Sequence, residues 1–210
     1  MPRFSIITTC KGRLHHLKES LPRFLQQRDT EVIVVDYDCP DGTADYVRRT
    51  HPEAKVVAIT DAPIFNISHA KNLGAAAALG DWLVFLDADV MVAPNMLERV
   101  VAIIQAGRRY YRFRSGNLAL FGSCVVRRSH FREVQGYDAV IQGYGGEDNE
   151  FFERLERNKI ARDHLEPGLI ERSLGHGQEE RVQFYKRKSL LLSIGINADY
   201  RVVKVALLQQ

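Results

Sequence analysis

Short apolar runs alternate with helix-period segments through the first hundred residues, and this alternation restricts the fold more than any other feature of the chain. Residues 4–8 read as a first strand, broken by Thr9-Cys10-Lys11-Gly12-Arg13. A helical pattern follows over residues 14–27, with Leu14, Leu17, Leu21, Phe24 and Leu25 near helical spacing. Pro22 inside it predicts a kink, or two short helices with Ser20 capping the second. Residues 31–35 form a second strand that ends at Asp36, a turn over 38–43 leads to a short helix at 44–49, and residues 56–59 form a third strand. Strand, helix, strand, helix, strand builds βαβ units, and so an α/β fold around a largely parallel sheet.

Residues 68–80 predict a helix that Ser68 caps and Gly80 ends. Trp82-Leu83-Val84-Phe85-Leu86 then reads as a buried strand, with two carboxylates, Asp87 and Asp89, directly after it. Residues 94–105 predict another helix with Pro94 in its first turn. The second half changes character: residues 111–114 alternate as a half-exposed strand would, 119–126 read as a strand and 129–134 as a short helix. Gly143-Tyr144-Gly145-Gly146 predicts a flexible loop, 147–158 a helix, 168–172 a strand-like stretch and 179–193 a further helical one.

A chain of 210 residues with 45% hydrophobic and 26% charged residues suits one ordinary globular domain. The net charge of +3 is too small to argue for nucleic-acid binding. Three cysteines (Cys10, Cys39, Cys124) without metal-site spacing predict reduced thiols and a cytoplasmic setting. The first residues make too short an apolar run for a signal peptide, and no stretch reaches the roughly 18 to 20 apolar residues of a membrane span. Peripheral membrane contact stays open, as does the role of the tail beyond residue 190.

Two carboxylates at the end of a buried strand repel each other, and ligands of open α/β sheets sit at that end. Asp87 and Asp89 can face one ligand, since residues two apart in a strand point the same way. A divalent cation such as Mg²⁺ or Mn²⁺ suits such oxygen donors, but a solvated loop fits the pair as well. Asp148 opens the stripe that Phe151, Phe152 and Leu155 continue, so it can serve as a general base with a raised pKa, while Glu147 points elsewhere on the helix. Acids at a helix start also merely complement its dipole. His176, between Gly175 and Gly177, is either an exposed loop residue or a third ligand beside Asp89. The run Arg108-Arg109-Tyr110-Tyr111-Arg112-Phe113-Arg114 reads as a surface strand or as an anion clamp. His15, His16 and His69 show no ligand spacing and are assigned no chemistry.

Taken in order, these segments resemble the GT-A glycosyltransferases, in particular the family 2-like enzymes. Residues 6–13 resemble their first strand and nucleotide loop. Val34-Val35-Asp36 with Asp41-Gly42-Thr43 resembles the base-contacting "VDDGSTDGT" turn, and Ala70-Lys71-Asn72-Leu73-Gly74 stands where the family has "ARNxG". Asp87-Ala88-Asp89 matches the acid motif, and Gly143-Tyr144-Gly145-Gly146-Glu147-Asp148 with Arg154-Leu155 is similar to the "GWGGED…RL" signature of β1,4-galactosyltransferases and chondroitin-polymerase-type transferases. There are departures: Tyr37 takes the place of the turn's second Asp, with Asp38 next, Tyr144 replaces Trp, and Lys71 replaces Arg.

The resemblance implies a GT-A domain over residues 1–177, with a nucleotide-binding half (1–106), an acceptor and catalytic half (107–177), and a helical extension (178–210). It implies a metal-dependent inverting transfer of a hexose or N-acetylhexosamine from a UDP-sugar to a hydroxyl of a saccharide or glycoconjugate. Asp89, His176 and Asp87 would hold Mn²⁺ or Mg²⁺. Thr8, Arg13, Asp36, Asp38, Lys71 and Asp87 would bind the nucleotide sugar, with the choice between Asp36 and Asp38 at the base left open. Tyr144, Gly145 and Gly146 would meet the acceptor, Asp148 would be the base, and Glu147 would bind the acceptor or position that base. A non-catalytic sugar- or nucleotide-binding module is an alternative. A sugar nucleotidyltransferase fits less well, because Cys10-Lys11-Gly12-Arg13 is poor in glycine.

Overall fold

The computed structural model of the chain describes residues 3–114, 120–175 and 177–208. The first elements are β1 (Phe4–Cys10), α1 (Leu14–Leu25), β2 (Thr30–Tyr37), α2 (Thr43–Thr50), β3 (Lys55–Ile59), α3 (Ile67–Ala77) and β4 (Trp82–Phe85). Then come β5 (Val90–Val92), α4 (Met96–Ile103), β6 (Arg109–Phe113), β7 (Cys124–Arg127) and α5 (Arg128–Glu133). The last are α6 (Glu147–Arg157), β8 (Ala161–Leu165), β9 (Ile170–Ser173), α7 (Gln178–Val182) and α8 (Leu190–Leu208).

Seven strands form one sheet in the order β3-β2-β1-β4-β7-β6-β8. The βαβ units make β3, β2, β1 and β4 parallel, β6 and β8 pair in parallel, and β7 runs antiparallel to β4 and β6. Alternation along each strand divides the core between the two faces. Ile6, Val34 and Val84 pack with Leu17, Leu21 and Phe24 of α1, whereas Ile7, Val35 and Phe85 pack with Ala70 and Ala75 of α3 and Phe151 of α6. A separate ribbon of β5 and β9 braces the loop after β4, where the Leu174 N–H donates to the Asp89 carbonyl at 2.7 Å.

Several expectations are corrected here. α1 is one helix through Pro22 and not two. The hydrogen bond that Pro22 cannot make would go to the carbonyl of Lys18, an exposed residue that water can serve. Ser20 caps nothing; its hydroxyl donates to the Ala88 carbonyl at 2.6 Å and so pins the acid loop to α1. Asn66 rather than Ser68 caps α3, accepting from the His69 N–H at 3.0 Å. Gly80 lies past the helix end and donates to Ser5 Oγ. The alternation expected over 111–114 is present, with Tyr111 and Phe113 buried, Arg112 half-buried and Arg114 exposed; Tyr110 is buried as well, and the Arg112 guanidinium lies 4.1 Å from the Phe121 ring centroid. The strand expected over 119–126 begins at Cys124, after a turn in which the Ser123 N–H donates to Leu120 O; Ala119 lies outside the described residues. The helical stretch expected over 179–193 divides into α7 and a longer α8.

Candidate active site

The carboxyl ends of β1 and β4 open on a cavity of about 300 Å³ lined by both acid motifs. One wall starts with Thr9, Lys11 and Arg13. Thr8, one position earlier in β1, is fully buried and does not line the cavity, because neighbouring strand residues face opposite ways. Lys11 gathers the strand ends: its ammonium donates to the carbonyls of Tyr37, Asp38 and Ala62 at 3.0, 2.7 and 3.0 Å. Asp36 holds the next turn, accepting from the N–H groups of Cys39 (2.8 Å) and Ala44 (2.6 Å) at the start of α2. Asp38 accepts from the Ala62 N–H. These two acids border a separate shallow hollow of about 270 Å³.

The carboxylates of Asp87, Asp89, Glu147, Asp148 and Glu180 line the main cavity with Lys71 and Arg13. Lys71, buried in α3, places its ammonium 2.9 Å from Asp148 Oδ1 and 4.8 Å from the Tyr137 ring centroid. Burial opposes that charge, yet Asp148, Asp87 and Glu147 together raise the Lys71 pKa. Burial pushes Asp87 up to about 6, with Lys71 opposing and Asp89 and Asp148 adding to the rise. Arg13 Nη1 lies 3.6 Å from Asp89 Oδ2. Glu147 is buried and pushed up to about 8, first by burial and then by the charge of Asp148. Its Oε2 is enclosed and has no hydrogen-bond partner among the described residues. Contrary to the helical-wheel expectation, Glu147 and Asp148 both line the cavity, because the N-terminus of α6 points into it. Gly122 makes room for Asp148; a Cβ there would stand 2.5 Å from Asp148 Oδ2.

The glycine loop is pinned rather than loose. Gly143, Gly145 and Gly146 take φ of 85°, 79° and 97°, a region that favours glycine. Asn197 of α8 donates to the carbonyls of Gly145 (2.6 Å) and Gln142 (3.2 Å). The tail thus packs on this loop, and Lys204 ties it further to Asp138 and Glu150. Tyr144 accepts from Arg181 Nη1 at 3.0 Å. The segment from α7 onward supplies Glu180, Arg181, Phe184 and Tyr185 to the cavity; Tyr185 stacks on Phe65, whose N–H donates to Phe184 O. Sequence reasoning missed Thr9, Lys11, Phe65, Arg181, Phe184 and Tyr185. An aromatic pair after a run of charges was the sole local sign of the last two. The remaining predicted residues, Arg13, Lys71, Asp87, Asp89, Tyr144, Gly145, Gly146, Glu147 and Asp148, converge on this cavity, while His176 lies outside the described residues.

The donor set fits a divalent cation. A Glu147 oxygen enclosed without a hydrogen-bond partner among the described residues, and Asp87 beside the buried Asp89, leave carboxylate oxygens grouped as such an ion requires. Among the described residues, Asp87 and Asp89 have no tightly grouped third His, Cys, Asp or Glu donor.

The family model described as Glycosyl transferase family 2 matches residues 5–120, more than half of the chain. The chain belongs to glycosyl transferase family 2. A second model, the N-terminal domain of galactosyltransferase, matches residues 103–185, the part of this family 2 chain that carries the glycine loop and α6. An uncharacterized glycosyltransferase of Nostoc sp. is 29% identical over 111 residues, covering 49% of this chain and 33% of that protein. Among solved structures, the mannosyltransferase PcManGT of Pyrobaculum calidifontis, in complex with GDP-Man and Mn²⁺, superposes with a TM-score of 0.71 at 18% identity, covering 87% of this chain and 61% of that one. S. aureus TarS 1–349 with UDP-GlcNAc gives 0.66 at 17%, covering 84% and 60%. The catalytic domain of Drosophila β1,4-galactosyltransferase 7 with xylobiose gives 0.60 at 17%, covering 90% and 76%. The family 2 chain therefore has the GT-A fold and spans about a third of its curated relative. Among the described residues no helix is long and apolar enough to cross a membrane.

Proposed function

We propose that this chain is a metal-dependent inverting glycosyltransferase that moves a hexose or N-acetylhexosamine from a UDP-sugar to a hydroxyl of a saccharide or glycoconjugate. One observation carries the reading: Lys71, Asp87, Asp89, Glu147 and Asp148, drawn from three distant parts of the chain, line a single cavity at the carboxyl end of the sheet. Arg13 and Lys71 supply positive charge for the diphosphate, and Asp87 steadies the ribose. Asp89, with Asp87, would hold Mn²⁺ or Mg²⁺, which when bound supplies Lewis-acid stabilisation of charge on the departing UDP. Tyr144 and the carbonyls of its loop form a platform for the acceptor ring. Asp148, ion-paired with Lys71, takes the acceptor's hydroxyl proton as that oxygen attacks the anomeric carbon from the face opposite UDP. Glu147, whose pKa near 8 leaves it protonated at neutral pH, donates a hydrogen bond that positions the acceptor. The Asp36 and Asp38 turn is offered for the base, and Thr9 is a better placed wall residue than Thr8.

The test is UDP release from a panel of UDP-sugars with an acceptor, with and without Mn²⁺. Asp148→Asn should lower turnover by about 10²–10⁴ while UDP binding persists, and Asp89→Ala should abolish Mn²⁺-dependent UDP binding in calorimetry. Normal transfer by the Asp148 variant would refute the base assignment. Silence toward every donor, with UDP still bound, would favour a nucleotide-binding module.

A further inference from the structure

His15 and His16 lie in the first turn of α1, and Glu180 sits in α7 across from them, far along the sequence but close in space. Their possible donor atoms all lie within 4.8 Å of one another. His15 Nε2 is 3.6 Å and His16 Nδ1 3.8 Å from the same oxygen, Glu180 Oε1, and the two ring centroids are 4.1 Å apart. The His16 side chain is enclosed and that of His15 is 62% exposed, so the cluster has a fixed floor and an open mouth. Glu180 Oε1 is itself shut from solvent and accepts no hydrogen bond among the described residues. Its near neighbour of opposite charge is Arg13, with Nε at 3.7 Å, and Arg13 is shared with Asp89.

We propose that His15, His16 and Glu180 form a second metal site, separate from Asp87 and Asp89, that takes a transition ion of the Zn²⁺ type and fastens the α7 segment to α1. Two imidazoles and one carboxylate are a three-donor set typical of Zn²⁺, with water free to fill a fourth position from the open side. Mg²⁺, which prefers oxygen donors, is a poor match for it. Ligand bonds to Zn²⁺ are about 2.0–2.2 Å, which sets tetrahedral donors about 3.4 Å apart; the Glu180 pairs at 3.6 and 3.8 Å close by tenths of an ångström, and the two rings, within 4.8 Å, by at most about 1.4 Å. The exposed His15 ring can make most of that movement. A cation here takes over the charge that Arg13 lends Glu180 and releases Arg13 toward Asp89. It also closes a ring through space, because the same segment that carries Glu180 carries Arg181, Phe184 and Tyr185 over the cavity. That consequence rests on the cavity being the donor site; the metal site itself does not.

The test uses the whole chain stripped with EDTA and the metal alone. Zn²⁺ titration by calorimetry, with Co²⁺ absorption to report the coordination, should give a site that His15→Ala and Glu180→Gln each weaken by more than the roughly 10–100-fold that loss of a mere supporting partner costs. Asp87→Asn with Asp89→Asn should leave it in place. Zn²⁺ should slow amide exchange over residues 178–185 in the wild type but not in the His15 variant. Equal Zn²⁺ affinity in wild type and the His15 and Glu180 variants overturns the site, as does its loss in the double Asp variant alone. Binding with unchanged exchange over 178–185 overturns the fastening. Since no sugar nucleotide is present, none of these outcomes depends on the transferase reading.

Discussion

Replacing Glu147 with glutamine removes a titratable group from a buried point of the cavity and keeps the shape. Burial, then the charge of Asp148, holds the Glu147 pKa near 8 against an ordinary value of 4.5. The folded chain therefore keeps a proton that the unfolded chain gives up. The stability this proton contributes is complete below about pH 4.5 and is lost as pH rises through about 8. At roughly 1.4 kcal/mol per pH unit, the gap corresponds to a ceiling of about 5 kcal/mol. The charges of Asp148 and Asp87 that help raise this pKa stay in the variant, so one substitution should return part of that ceiling, on the order of 2–4 kcal/mol. Urea unfolding of wild type and Glu147→Gln in EDTA, in steps from acid to alkaline pH, measures the difference. The curves should coincide near pH 4.5, and the variant should lead by the full amount at about pH 9. A constant offset at every pH, or a wild type that gains on the variant as pH rises, would refute the account.

Other substitutions probe the geometry around the same cavity. Gly122→Ala places a Cβ against Asp148 Oδ2, so the carboxylate must leave Lys71; turnover should drop by about 10²-fold with the circular dichroism unchanged. Asn197→Ala leaves the carbonyls of Gly145 and Gln142 without that donor and should cost about 1–3 kcal/mol in thermal or urea unfolding. The Cys10 hydrogen bond, against burial, brings the Cys39 thiol down to about 6, while burial pushes Cys124 up to about 12. Iodoacetamide at pH 7 should label Cys39 first, with a rate that is flat above neutrality and falls below about pH 6; peptide mass mapping over time reads the order.

The parts of this protein legible in its sequence are those set by neighbours along the chain. Alternating apolar runs fix β1 through β4 and their parallel order, since each strand and the helix after it bury one another. An acid pair directly after a buried strand must emerge at the ligand-bearing end of the sheet, and the spacing of Phe151, Phe152 and Leu155 fixes the buried side of α6. What the sequence could not reveal depends on residues far apart meeting. The antiparallel insertion of β7, the burial of Glu147 beside Asp148, and Ser20 holding the acid loop have no local periodic signature. Lys71 finds Asp148 across 77 positions, and Asn197 finds Gly145 across 52. The weakly patterned tail illustrates the division best. Read as a sequence it offered no partner. In the fold, α7 and α8 provide Glu180, the roof of the cavity and the clamp on the glycine loop, because a polar side chain declares its role only through the groups that enclose it.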